Sequence, residues 1–152
     1  MGRAPTAGSV KDGAGSPQTT SRRTLGQVLI CVGCCCGRPD RGMPAVPLAR
    51  LKAEWKRRRL LPVIQLTISG CLGPCDLVNV ACVASAQGMT WLGGLTRDEE
   101  YEALLAWATR SSEARRLLPL PGVLAARVFT DRFLTGEGPG TNGAGAACDD
   151  AL

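Results

Sequence analysis

Four of the chain's eight cysteines stand in one heptapeptide, Cys31-Val32-Gly33-Cys34-Cys35-Cys36-Gly37, and the chain has no histidine. That thiol density constrains the fold more than any other feature. It directly follows the apolar run Val28-Leu29-Ile30, so the thiols emerge from the end of a buried element. Four adjacent thiols suit disulfides, a zinc site, a redox-active pair or part of an iron–sulfur site. The remaining cysteines are Cys71, Cys75, Cys82 and Cys148. Which chemistry applies depends on which of these meet the heptapeptide in space.

The compartment narrows the choice. The N-terminal stretch is basic but has no apolar core of the kind a secretory signal needs, and nothing approaches the ~20 apolar residues of a membrane span. A cytoplasmic address is expected, where thiols stay reduced; that favours metal or redox chemistry over a disulfide framework. Met1-Gly2-Arg3-Ala4-Pro5-Thr6 fits the loose myristoylation pattern, without a second anchor after it. With no histidine, mixed Cys/His zinc sites, a centre with two histidine ligands and Cys–His nucleophilic catalysis are all excluded. No catalytic residue stands out, and the chain does not read as an enzyme.

Glycine, proline and small polar residues crowd both ends, so residues 1–24 and 135–152 read as disordered tails unable to bury enough surface to offset their ordering entropy. The folded domain is expected over 25–110, followed by a helical or extended arm over 111–134. A core this small benefits from a stapling metal or cluster.

Within the domain, Leu25–Val32 reads as a short buried strand. Leu48–Leu60 reads as an amphipathic helix behind Pro47, with Leu48, Leu51, Ala53 and Trp55 toward the core. The alternation in Val63–Ser69 predicts a second strand. Val78–Ala84 and Met89–Leu92 read as a hairpin around Gln87-Gly88. Thr96-Arg97-Asp98-Glu99 has the form of a capping box opening a helix to about Thr109, with Tyr101, Leu104, Leu105 and Ala108 on one face. Strand–helix–strand implies a parallel pair, and layering then predicts an α/β sandwich: a small mixed four-stranded sheet covered by two helices. Trp55 and Trp107 fall at core spacing, and Cys82 reads as a small core hydrophobe.

Cys31/Cys36 and Cys71/Cys75 each follow one of the two parallel strands. Carboxyl ends of parallel neighbours share one edge of a sheet, so the pairs converge. Four thiolates there suit zinc or a [2Fe–2S] cluster. Gly33, Gly70 and Gly73 allow the backbone to approach closely.

C-x4-C followed after thirty-odd residues by Gly70-Cys71-Leu72-Gly73-Pro74-Cys75 resembles the thioredoxin-like [2Fe–2S] ferredoxins and the small iron–sulfur subunit of respiratory NADH dehydrogenases. CVGCCCGR, LKAEWKRR, QLTISGCLGPCD and WLGGLT together are similar to bacterial (2Fe–2S) ferredoxin domain proteins. The resemblance spans Leu25 to about Ala108. It implies a thioredoxin-like ferredoxin sandwich, one [2Fe–2S] cluster on Cys31, Cys36, Cys71 and Cys75, single-electron transfer to a partner reductase or oxidoreductase, and a homodimer. Cys34 and Cys35 depart from the pattern and stand as substitute ligands in the first pair. The alternative is a metal-binding module holding structural zinc or delivering a metal, with some members of the wider group linked to cobalamin synthesis.

The formal charge of +5 sits largely in Arg22–Arg23 and Lys56–Arg59. No aromatic interleaves the basic run, so nucleic acid is not expected as a partner; without an apolar span, no membrane partner is expected either. Lys56–Arg59 reads as a solvated helix end, or else as a docking face for an acidic protein partner.

Overall fold

A computed structural model describes residues 17–130 and Phe133. The expectations for most of the two tails, including Gly2, Thr6 and Cys148, lie outside the described residues.

The chain forms β1 (Gly26–Cys31), α1 (Leu48–Arg57), β2 (Ile64–Ser69), β3 (Ala81–Ser85), β4 (Gly88–Leu92), α2 (Asp98–Glu113), a single-turn α3 (Gly122–Ala125) and β5 (Val128–Phe129). The sheet order is β2-β1-β3-β4-β5. β1 and β2 are parallel, in a register running from Gly26 opposite Ile64 to Cys31 opposite Ser69. All other pairings are antiparallel. Over the described residues this is a mixed α/β fold with a five-stranded sheet and three α-helices.

One face of the sheet carries the core. Val28, Ile30, Ile64, Ala81, Val83 and Leu92 pack against Leu51 and Trp55 of α1 and against Tyr101, Leu104, Leu105, Trp107 and Ala108 of α2. The α2 residues recur at helical spacing, and their burial against the sheet supplies most of the drive to form it. The polar atoms of the large core side chains are satisfied. The Trp55 indole N–H donates to Ile64 O at 2.7 Å, that of Trp107 to Leu118 O at 2.7 Å, and the Tyr101 hydroxyl to Leu95 O at 2.7 Å.

Several boundaries differ from the sequence expectation. The helix expected over Leu48–Leu60 stops at Arg57, because Arg59 turns into the left-handed region at φ 53°. Ala53 faces solvent rather than the core. The strand expected from Val78 begins only at Ala81, because Val78 and Asn79 are left-handed at φ 35° and 53°. α2 continues past Thr109 to Glu113. The sheet has five strands rather than four. The fifth comes from the arm after α2, whose Leu117, Leu118 and Leu120 pack on the core and whose Leu124 is fully buried. Two residues are too few to show a strand period.

The cap of α2 also differs. Glu100, not Glu99, is the capping carboxylate: it accepts the backbone N–H groups of Thr96 at 2.8 Å and Arg97 at 3.0 Å. Glu100 is fully buried and also accepts from the Arg127 guanidinium at 2.6 Å, tying the arm to the start of α2. Burial pushes its carboxyl upward, but the Arg97 N–H and the guanidinium groups of Arg127 and Arg97 more than offset this, leaving it below the usual carboxylate range. A depressed carboxyl contributes stability above the unfolded value of ~4.3 and loses it as pH falls through the folded value. Glu100→Gln is therefore expected to lower stability at neutral pH by roughly 1–3 kcal/mol and to flatten the acid side of the stability–pH curve. Chemical denaturation at several pH values checks this; an unchanged acid limb would contradict the role.

Candidate metal centre

The parallel register sets the geometry of the site. Because Cys31 pairs with Ser69, the segments leaving β1 and β2 start side by side at one edge. Val32 N–H donates to Ser69 O at 3.1 Å and Cys31 N–H to Val80 O at 2.9 Å, which holds the first thiol loop between its two neighbours. Gly33 at φ 131° and Gly73 at φ 111° take backbone shapes that other residues rarely adopt, one in each thiol loop. Gly70 has no such requirement.

Cys31 and Cys36 are buried in a small second cluster with Val80, against Leu72, Trp91 and Phe129. Trp91 and Phe129 pack with ring centroids 6.1 Å apart. Cys31 and Cys36 share a hydrogen bond, which holds the Cys36 thiol down to about 6, aided by Val80 and Asn79 N–H groups against the opposing effect of burial. The same hydrogen bond raises Cys31, which keeps the proton. Leu72 N–H, from the second loop, approaches Cys31 Sγ at 3.5 Å. Cys71 and Cys75 lie Sγ to Sγ at 3.3 Å, Cys71 exposed and Cys75 half-buried. Burial, reinforced by the hydrogen bond with Cys71, pushes Cys75 up to about 12.

Of the four sequence-expected ligands, Cys31 ends β1 and Cys36 lies in the loop after it, while Cys71 and Cys75 lie in the loop after β2; among the described residues only Cys75 of these four belongs to a group of three thiols close enough to share one ion. The substitutes are nearer than expected. The Sγ atoms of Cys34, Cys35 and Cys75 lie within 4.8 Å of one another, a group that can hold a metal ion. Cys34 and Cys35 themselves are 3.8 Å apart. Cys82 is buried within β3, in register with Leu29 and Trp91, and burial alone raises its thiol. It sits in the sheet as a hydrophobe.

Sequence reasoning missed Asn79. Its side chain is buried and makes three short bonds: Oδ1 accepts from Gly37 N–H at 2.8 Å, and Nδ2 donates to Pro44 O and Leu95 O, each at 3.0 Å. It thereby pins the end of the first thiol loop to the entry of α2. The left-handed turn at Val78-Asn79, unfavourable for a β-branched residue, is held by Gly94 N–H on Val78 O at 2.9 Å and Leu95 N–H on Asn79 O at 3.2 Å. The one sequence signal was an asparagine, which tolerates that backbone region, just before a strand. Gly37 needs to be glycine for a similar reason: φ is 64°, and a Cβ would meet Val46 Cγ2 at 3.3 Å.

The donor set fits a thiolate-ligated centre. Sulfur donors stand at one edge, several already accepting backbone N–H groups, in a partly water-excluded setting with an exposed rim at Cys71. Compared with known families, with curated proteins and with solved structures, the chain finds no match. Its chemistry therefore has to be argued from these residues.

Asn79→Ala is expected to destabilise the fold by roughly 1–3 kcal/mol, since it leaves the Gly37 N–H and the Pro44 carbonyl without this partner, while Leu95 O keeps the Tyr101 hydroxyl. Denaturant titration checks the loss. A change within a few tenths of a kcal/mol would show that the bracket is dispensable.

Proposed function

We propose that this protein is an electron carrier that holds one [2Fe–2S] cluster on Cys31, Cys36, Cys71 and Cys75 and passes single electrons to a partner protein, with no substrate of its own. The carrying observation is the level parallel pairing of β1 and β2, which delivers one cysteine couple per loop to the same edge. A cluster bound there supplies reversible one-electron chemistry. The protein's own part is to bind and to tune. Leu72 N–H on Cys31, and Val80 and Asn79 N–H on Cys36, stabilise negative charge on sulfur. Trp91 and Phe129 keep water from the buried couple. Cys71 and the exposed Leu77 form the rim that a partner would meet. A thioredoxin-like ferredoxin sandwich accommodates this arrangement, and a cytoplasmic setting suits it.

A second reading has its own observation. With Cys35 in its reduced, thiolate form, the close grouping of Cys34, Cys35 and Cys75 suits a single soft ion such as zinc, held for structure or for delivery. Serine variants separate the two. If the cluster reading holds, Cys71→Ser abolishes the visible absorption of anaerobically purified protein, while Cys34→Ser and Cys82→Ser retain it. Loss of all bound metal in Cys34→Ser with retention in Cys31→Ser would instead favour the ion site at Cys34, Cys35 and Cys75.

A further inference from the structure

Charge is sorted along the length of the sheet. At the thiol end most arginines are matched by carboxylates: Arg38 with Asp40, Arg50 with Asp98 and Glu102, Arg97 with Glu99 and Glu100, and Arg127 with Glu100, Arg41 alone at that end being in no ion pair among the described residues. The opposite end differs. Arg22–Arg23 lead into β1, Lys56–Arg59 close α1, and Arg110 and Arg115–Arg116 close α2. These stretches are far apart in sequence but meet in space. Arg23 and Arg115 line one cleft of about 190 Å³ together with Pro62, and the Arg58 guanidinium donates to Thr109 Oγ1 across the two helices at 3.1 Å. Among the described residues, the carboxylates at the same end, set against these nine cations, are Glu54, which pairs with Arg57 and Arg58, and Glu113.

A second observation concerns the backbone. Just past the ends of both α1 and α2, an arginine occupies the left-handed region, Arg59 at φ 53° and Arg115 at φ 53°. Glycine takes that position without strain, and an arginine does not. At both places the chain bears a conformational cost and keeps a cation. A third observation is Leu61, two residues beyond Arg59 and 49% exposed within this charged end.

We propose that this basic end is a docking surface for an anionic phospholipid membrane, with the arginines on lipid phosphates and Leu61 reaching below them. Arginine suits phosphate through paired donors, and an apolar tip ringed by cations suits an interface that is charged above and oily beneath. A nucleic acid fits less well, because the tryptophans of both helices are buried in the core and none is presented there to stack on bases. No single segment advertises the surface, since each stretch alone is an ordinary solvated helix end or lead-in.

The placement also bears on orientation. A strand of six residues spans ~20 Å, so docking here leaves the thiol edge turned away from the membrane. An acidic redox partner bound at Lys56–Arg59 would sit that far from the thiols. The proposal does not depend on what the thiols bind, and metal-stripped protein should dock equally well.

The test uses the full chain and cosedimentation with vesicles of phosphatidylcholine, alone or with about a third phosphatidylserine. Binding is expected only to the mixed vesicles and should disappear at ~0.5 M salt. The double variant Arg59→Gly/Arg115→Gly should bind on the order of tenfold more weakly, with a thermal midpoint equal to or above the parent's. Arg22→Gln/Arg23→Gln should weaken binding without touching either helix, whereas Arg38→Gln/Arg41→Gln at the thiol end should leave it unchanged. The proposal is overturned by absent vesicle binding, by parental affinity in the glycine or Arg22/Arg23 variants, by a lowered midpoint in the glycine variant, or by binding to an oligonucleotide in place of vesicles.

Discussion

The pairing of β1 with β2 is what the rest of the molecule depends on. Two parallel strands in register, ending with Cys31 opposite Ser69, send their following segments out side by side. A slip of one residue would turn Val28 and Ile30 off the core face and carry Cys31 to the other side of the sheet. Register and thiol geometry are therefore one constraint. The core that fixes it is ordinary: two helices on one face, with Trp55 bonded to the first residue of β2 and Trp107 to the arm.

Around that pairing, the thiol edge is held by contacts distant in sequence. Asn79 joins the end of the first thiol loop, the loop before α1 and the entry to α2, while Glu100 joins the start of α2 to the arm that supplies β5. The strained Val78-Asn79 turn sits between the second thiol loop and β3. Backbone strain is tolerated where neighbouring bonds over-determine it, and functional edges are common places for it. The opposite end of the sheet carries most of the unmatched cations, so the thiols and the excess positive charge lie at opposite ends.

Much of this was legible in the sequence. Alternation in Val63–Ser69, the helical stripe from Tyr101 to Ala108 and the placement of each cysteine pair after an apolar run located the strands, the helices and the shared edge. What was not legible has physical causes. β5 is two residues long and exists only because β4 offers an edge. The capping role fell to Glu100 rather than Glu99 because Arg127 reaches Glu100 from twenty-seven residues away. Asn79 acts through side-chain bonds that no local pattern encodes. The approach of Cys34 and Cys35 to Cys75 depends on how the first loop closes, which spacing alone does not determine. The basic end was hidden for a related reason, as its cations come from separate helix ends that only the fold brings together.

The central claim, that the thiol edge carries a two-iron centre, is tested most directly by metal and acid-labile sulfide analysis of protein purified without air. The expected result is two irons and two sulfides per chain, with a visible spectrum that bleaches on reduction by dithionite. Colourless protein with stoichiometric zinc and no sulfide would contradict it.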